Sequence, residues 1–309
     1  METGGPDGAG SHDGAHGGPT NGASNGAHGP AGFGSSRSPG RPVRKDEIVI
    51  EERGLYVESW LPERRSRRRP LLLLHGELGG SWLWERYLLY FAQRGWEGHA
   101  LNLRAHFWSE NADFEELDLA TYTDDTIAAA EALGRPAVVI GHGMGALLAL
   151  KLAEQRQVHG LVLLSPALPR PIRPDAPSHV VRLVPPRFRR ELIGWAGPPD
   201  QIQRQHPDLT LKDVMRVQHL MGAESGGARR QMLEGVPVER ELLSGVPMLV
   251  VGAGVDRMFP ETDSERLAEW LGAEYQPFGA HSHYGLVIGE DSHEQVADAI
   301  RAFLEHHRL

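Results

Sequence analysis

Between an apolar run and a helical pattern the chain reads Val138-Val139-Ile140-Gly141-His142-Gly143-Met144-Gly145-Ala146-Leu147-Leu148. A strand that turns sharply into a helix through the frame G-x-S-x-G holds a serine hydroxyl exposed for attack on a carbonyl carbon. Here the frame is G-H-G-M-G, so both flanking glycines are present and Gly143 stands at the central position. Without a hydroxyl at that point no covalent acyl intermediate forms there. Removing such a nucleophile costs roughly 10⁶ in turnover and leaves roughly 10³–10⁴ over water, through binding and oxyanion stabilisation. Glycine also accepts the strained elbow backbone without the ~1–3 kcal/mol that a residue with a Cβ carries there. The vacated space matches about one water, whose share of liquid volume is roughly 30 Å³. A water in that place is a candidate for direct activation by a neighbouring base.

The composition narrows what surrounds this turn. The chain has 309 residues, 40% hydrophobic, enough for one large α/β domain with an insertion. A net charge of −9 argues against a general nucleic-acid binder. Arginines cluster at Arg64-Arg65-Ser66-Arg67-Arg68-Arg69 and at Arg187-Phe188-Arg189-Arg190, and these read as a solvated turn and a solvated helix face. The absence of cysteine excludes disulfides, thiolate catalysis and cysteine metal sites, and is compatible with a cytoplasmic location. No apolar run reaches the length of a membrane span, and the N-terminus lacks the order of a secretory signal. Residues 1–44 are rich in Gly, Ala, Ser, Pro and His and read as a disordered leader. His12, His16 and His28 lie in that leader at loose spacing, so no metal site is expected, and no cofactor.

The elements that must carry the turn follow from periodicity. Ile48–Ile50 and Leu55–Trp60 flank Gly54 and predict a hairpin. Leu71–Leu74 is a continuous apolar run, as in a strand buried on both faces of a parallel sheet. Further strands are expected at 99–103, 137–140, 161–164, 248–251 and 275–278, and helices at 82–93, 122–133, 144–154 and 293–306. Strands alternating with helices predict an α/β fold with a doubly wound, mostly parallel sheet over 45–309. The interval between Leu164 and Met248 shows no strand pattern, whereas 180–183, 211–221 and 229–233 read as helical. A helical cap is therefore expected over about 169–243.

With these elements in order, the chain resembles the α/β-hydrolase family, of the esterase and lysophospholipase-like type with a helical cap. The resemblance runs from about Ile48 to the C-terminus. It rests on His75-Gly76 after the Leu71–Leu74 run, Leu103-Arg104-Ala105-His106, the Gly141–Gly145 elbow, Gly252-Ala253-Gly254-Val255-Asp256-Arg257, and Ser282-His283. It implies nucleophile, acid and histidine in that chain order, which puts the acid at Asp256 and the base at His283, with His281 as competitor and Tyr284 beside either. It implies an oxyanion hole from the N–H groups of Glu77 and Met144, with the Glu77 carboxylate turned to solvent and the Met144 side chain lining a pocket. His75, Gly76 and His142 are expected around that pocket. Where the family reads Arg-Gly-His-Gly, this chain has Arg104-Ala105-His106-Phe107-Trp108. Phe107 and Trp108 thus mark either a repacked loop or a narrowed aromatic pocket. Ser165, after the 161–164 strand, is the alternative nucleophile, but it reads as an ordinary strand-end turn with Pro166.

Three functions are compatible with this pattern. The first is non-catalytic binding of an apolar small molecule under the cap. The second is general-base chemistry by His283–Asp256 with no covalent step, of water-mediated hydrolase, lyase or cyclase type, on a small apolar or ester-like molecule. The third is an interaction protein whose arginine-rich cap docks an acidic partner. Histidine titrates near neutral pH without tuning, which favours the second.

Overall fold

Every side chain of Leu71–Leu74 is buried, and successive leucines go to opposite sides of a sheet. Leu72 and Leu74 enter one core with Val139, Leu161 and Leu163. Leu71 and Leu73 enter a second core with Val138, Ile140, Val162 and Leu164. A strand sandwiched between two cores sits in the middle of a doubly covered sheet.

The computed structural model describes Met1, residues 41–64 and residues 66–309. The strands in chain order are β1 (Val43–Ile50), β2 (Leu55–Pro62), β3 (Leu71–Leu74), β4 (Gly98–Asn102), β5 (Val138–His142), β6 (Gly160–Leu164), β7 (Arg187–Arg189), β8 (Ala223–Ser225), β9 (Met248–Ala253) and β10 (Glu274–Phe278). The helices are α1 (Glu85–Gln93), α2 (Leu119–Ala132), α3 (Met144–Ala153), α4 (Ser178–Leu183), α5 (Pro199–Gln205), α6 (Leu211–Leu220), α7 (Gly226–Glu234), α8 (Glu261–Leu271), α9 (Gly285–Ile288) and α10 (Ser292–His306). Eight strands form one sheet in the order β1-β2-β4-β3-β5-β6-β9-β10. The β1–β2 and β2–β4 pairs are antiparallel, and every pair from β4 to β10 is parallel.

Some boundaries differ from expectation. β1 begins at Val43, before the end expected for the 1–44 leader; residues 2–40 of that leader, with His12, His16 and His28, lie outside the described residues. The segment between β6 and β9 contains α4 to α7, and also the two-stranded β7–β8 ladder, which the absence of a strand pattern did not predict. Arg187–Arg189 is therefore a strand and not a helix face: Phe188 is buried while Arg187 and Arg189 are exposed. That is period-two alternation, but three residues are too few to declare it in sequence. Among the described residues no helix is long and apolar enough to cross a membrane.

Candidate active site

β5 runs into α3 through Gly143, which has φ 56° and ψ −114°. L-residues reach this region only at a cost, and glycine occupies it freely. The turn is held by two backbone bonds across the sheet: Gly143 N–H donates to the Leu164 carbonyl at 3.0 Å, and the Gly143 carbonyl accepts from Ala167 N–H at 3.1 Å. Gly145 is glycine for a different reason, since a Cβ there would collide with the Leu74 and His75 carbonyl oxygens. At Gly143 a Cβ would instead meet only side-chain atoms, at close but non-colliding range: His283 Cε1 at 3.3 Å, His283 Nε2 at 3.4 Å and Phe259 Cε2 at 3.4 Å. The elbow thus keeps glycine where backbone packing demands it. At its centre, the one position facing an imidazole, the side chain is missing although the space admits it.

His283 follows β10 in the loop before α9, and Asp256 follows β9. His283 Nδ1 lies 2.7 Å from Asp256 Oδ2. Both side chains are buried. Asp256 Oδ1 accepts from the Met258 and Phe259 N–H groups at 2.6 and 2.9 Å. Burial works to raise the Asp256 carboxyl, but the His283 charge and these hydrogen bonds hold it below its ordinary value. A carboxylate on Nδ1 places the imidazole proton there and leaves Nε2 as the basic nitrogen, directed at Gly143. His281 does not compete for Asp256; its ring reaches only toward the Ser292 carbonyl at 3.4 Å. Ser165 is on the acid's side of the dyad. Its hydroxyl donates to Asp256 Oδ2, the oxygen that also faces His283.

Two further histidines lie buried around this turn. His142 packs its ring 4.0 Å from that of His283, centroid to centroid, and its Nε2 bonds the His283 carbonyl at 3.0 Å. Burial, and after it the charge of His283, holds His142 well below the usual imidazole range, so it is a neutral backing for the base. His75 bonds the Gly76 carbonyl through Nδ1 at 2.8 Å and accepts from Leu103 N–H through Nε2 at 3.2 Å. Burial pushes it down to about 3. Both ring nitrogens of His75 are used in joining the loops after β3 and β4.

The loop after β3 carries a correction. Glu77 was expected to point to solvent, but only 2% of its surface is exposed. Its Oε2 lies 2.6 Å from Arg229 Nη1 on α7, and its Oε1 is buried without a hydrogen-bond partner. Burial raises the Glu77 carboxyl above its ordinary value, opposed by the Arg229 charge, and His283 lies within electrostatic reach. An ion pair lets the carboxylate turn inward; an unpaired one would stay in water. Neither the Glu77 nor the Met144 N–H is used in a loop or cap bond among the described residues. The Met144 side chain is fully buried in the core under α3.

Glu224 of β8 also reaches this loop. It accepts from Leu78 N–H at 3.2 Å and from the Tyr122 hydroxyl at 2.7 Å, and pairs with His106 Nε2 at 3.2 Å. Sequence reasoning missed Glu224 and Arg229, whose partners lie more than a hundred positions away, and Phe259, whose N–H bonds Asp256 and whose ring packs on His283 with no pattern to mark it. The 104–109 loop explains Phe107 and Trp108. Positive φ at Ala105 (63°) and Phe107 (48°) turns His106 inward, leaving Phe107 and Trp108 43% and 67% exposed. The loop is repacked around His106, and its two aromatics do not enclose the dyad.

Residues 71–299 match the alpha/beta hydrolase family, and the chain belongs to it. No curated protein matches the chain. Similar solved structures include an esterase from Thermogutta terrifontis, 19% identical with a TM-score of 0.63, covering 86% of this chain and 100% of that one. The bromoperoxidase from Bacillus anthracis is 14% identical with a TM-score of 0.65, covering 85% and 100%. The monoacylglycerol lipase of Paleococcus ferrophilus is 19% identical with a TM-score of 0.61, covering 82% and 99%. At such identities the likeness is one of fold.

Proposed function

We propose that His283, oriented by Asp256, is a general base acting without a covalent step on a small apolar or ester-like molecule, or on a water, lodged against Gly143. The observation that carries this reading is the 2.7 Å Nδ1–Oδ2 contact, combined with Nε2 only 3.4 Å from the place of the absent Cβ. The base has its orienting acid, and among the described residues no hydroxyl or thiol bonds to its Nε2. Its target is therefore exogenous. The Met144 and Glu77 N–H groups stabilise the oxygen that gains charge. Residues 169–243 act as the cap, tied down by Arg229 on Glu77 and Glu224 on the loop after β3.

The test is hydrolysis of a short-chain nitrophenyl ester by wild type and His283→Ala, with the early time course recorded. The reading expects slow turnover that is linear from the first seconds and is lost with His283. A burst of nitrophenol, or an acyl group trapped on the protein, would show a nucleophile and overturn it. Equal rates for the two proteins would leave binding without turnover. One observation favours that second reading: only 2% of His283 is exposed, so a ligand enters only if the cover opens.

A further inference from the structure

General-base chemistry at His283 leaves buried polar atoms beside the site without a partner, and one of them, Nδ1 of His142, belongs to the neutral ring packed on the base. Glu77 Oε1 and the Tyr284 hydroxyl are each buried and each lack a hydrogen-bond partner. Tyr284 is 1% exposed, and its ring packs 5.1 Å from His283 and 5.0 Å from Trp195. Burial, and after it the Glu77 charge, holds its hydroxyl well above the ordinary phenol range. Buried polar atoms in native proteins are normally paired, so these two call for an explanation beyond the packing that accounts for His142. The two are complementary. A carboxylate oxygen only accepts, and a phenol held far from ionisation donates.

We infer that Glu77 and Tyr284 select the substrate by its neutral hydroxyl group, which donates to Glu77 Oε1 and accepts from the Tyr284 hydroxyl. This rests on the reading of Gly143–His283 as the place where a ligand is bound, and it names the class of that ligand: a neutral alcohol on an apolar body. Charge decides against the alternatives. Arg229 already neutralises Glu77, so an ammonium would leave one positive charge in excess. A ligand carboxylate would oppose both Glu77 and Asp256. Phe259, with its ring 5.3 Å from that of His283, and Trp195 supply apolar walls.

Benzyl alcohol, toluene, benzylamine and benzoate share one ring and differ in the group presented. Each is titrated into the full chain by calorimetry, with the shift in thermal midpoint as a second readout. Benzyl alcohol is expected to bind about tenfold more tightly than toluene, the size of one good hydrogen bond to a charged acceptor, and more tightly than either ion. Tyr284→Phe should remove much of that preference without loosening toluene and without lowering thermal stability, since the hydroxyl removed has no partner. Glu77→Gln should narrow the discrimination against benzoate. If Glu77→Gln fails to fold, Tyr284→Phe still decides. Equal binding of benzyl alcohol and toluene, a preference for benzoate, or no binding of any of the four would overturn the assignment. The titrations are repeated on His283→Ala, where turnover is lost but the alcohol preference should persist. Loss of the preference there would assign hydroxyl recognition to His283, against this inference. Persistence of the preference in a wild type that shows no turnover would overturn the catalytic reading alone.

Discussion

Arg229 on α7 and Glu77 in the loop after β3 are joined by a 2.6 Å contact between Nη1 and Oε2, and the carboxylate is wholly buried. The loop after β3 is thus anchored from the segment between β6 and β9. Breaking a buried pair from one side strands a charge, which costs about 3–5 kcal/mol, and partial exposure of Arg229 puts this case at the lower end. Arg229→Met should therefore lower stability by about 3 kcal/mol in denaturant melts. The double variant Glu77→Gln/Arg229→Met should recover much of the loss, because it leaves no unpaired ion. A double variant as unstable as the sum of the singles would mean that the pair has no such coupling.

The Glu224–His106 contact predicts a stability optimum in pH. Burial pushes Glu224 up, but the His106 charge and hydrogen bonds outweigh it and hold the carboxyl below its ordinary 4.5. Burial lowers His106, and Glu224 outweighs that and raises it above 6.5. The Glu224 contribution is present above pH 4.5 and is lost as pH falls through its depressed folded value. The His106 contribution is full below pH 6.5 and is lost as pH rises through its raised folded value. The stability difference between wild type and Glu224→Gln should be greatest between those limits and shrink on both sides. A difference that is flat or grows toward alkaline pH would refute the pairing.

Ser165 has φ 44°, and its hydroxyl donates to the oxygen of Asp256 that faces His283. This bond braces the acid. Ser165→Ala should cost about 1.5–3 kcal/mol, the usual worth of a hydrogen bond to a charged group. Ser165→Gly should recover ~1–2 kcal/mol of that by relieving the left-handed backbone. Both are read from thermal melts. An acyl group found on Ser165 by mass spectrometry after ester treatment would contradict this placement.

Much of this was legible before any coordinates. The Leu71–Leu74 run announces a strand buried on both faces, and the glycine-rich turn after Ile140 announces the elbow, because both are short-range patterns set by packing and backbone sterics. Asp256 and His283 were legible by chain order. The inward turn of Glu77 was not, because an isolated glutamate belongs in water and its partner Arg229 lies 152 residues away. Helix α8 passed unread for a related reason: of its 11 residues only Ser264, Leu267 and Ala268 are buried, too few for a clear apolar stripe. Trp108 is the opposite case, a large aromatic in a loop near the site that the backbone turns out to solvent.

The absent hydroxyl is tested by restoring it. A Cβ at position 143 has His283 Nε2 at 3.4 Å, so Gly143→Ser places Oγ beside a base already oriented by Asp256. The variant should be less stable by ~1–3 kcal/mol, since φ 56° becomes strained with a Cβ. The decisive measurement is hydrolysis of a short-chain nitrophenyl ester by both proteins, with intact mass recorded during turnover. Gly143→Ser should gain several orders of magnitude, by analogy with the roughly 10⁶ lost when such a nucleophile is removed, and should carry an acyl group on residue 143. Wild type should show neither a burst nor an adduct. A folded Gly143→Ser protein that stays inert, or a wild type that acylates elsewhere, would contradict the claim that Gly143 alone separates this site from a serine hydrolase.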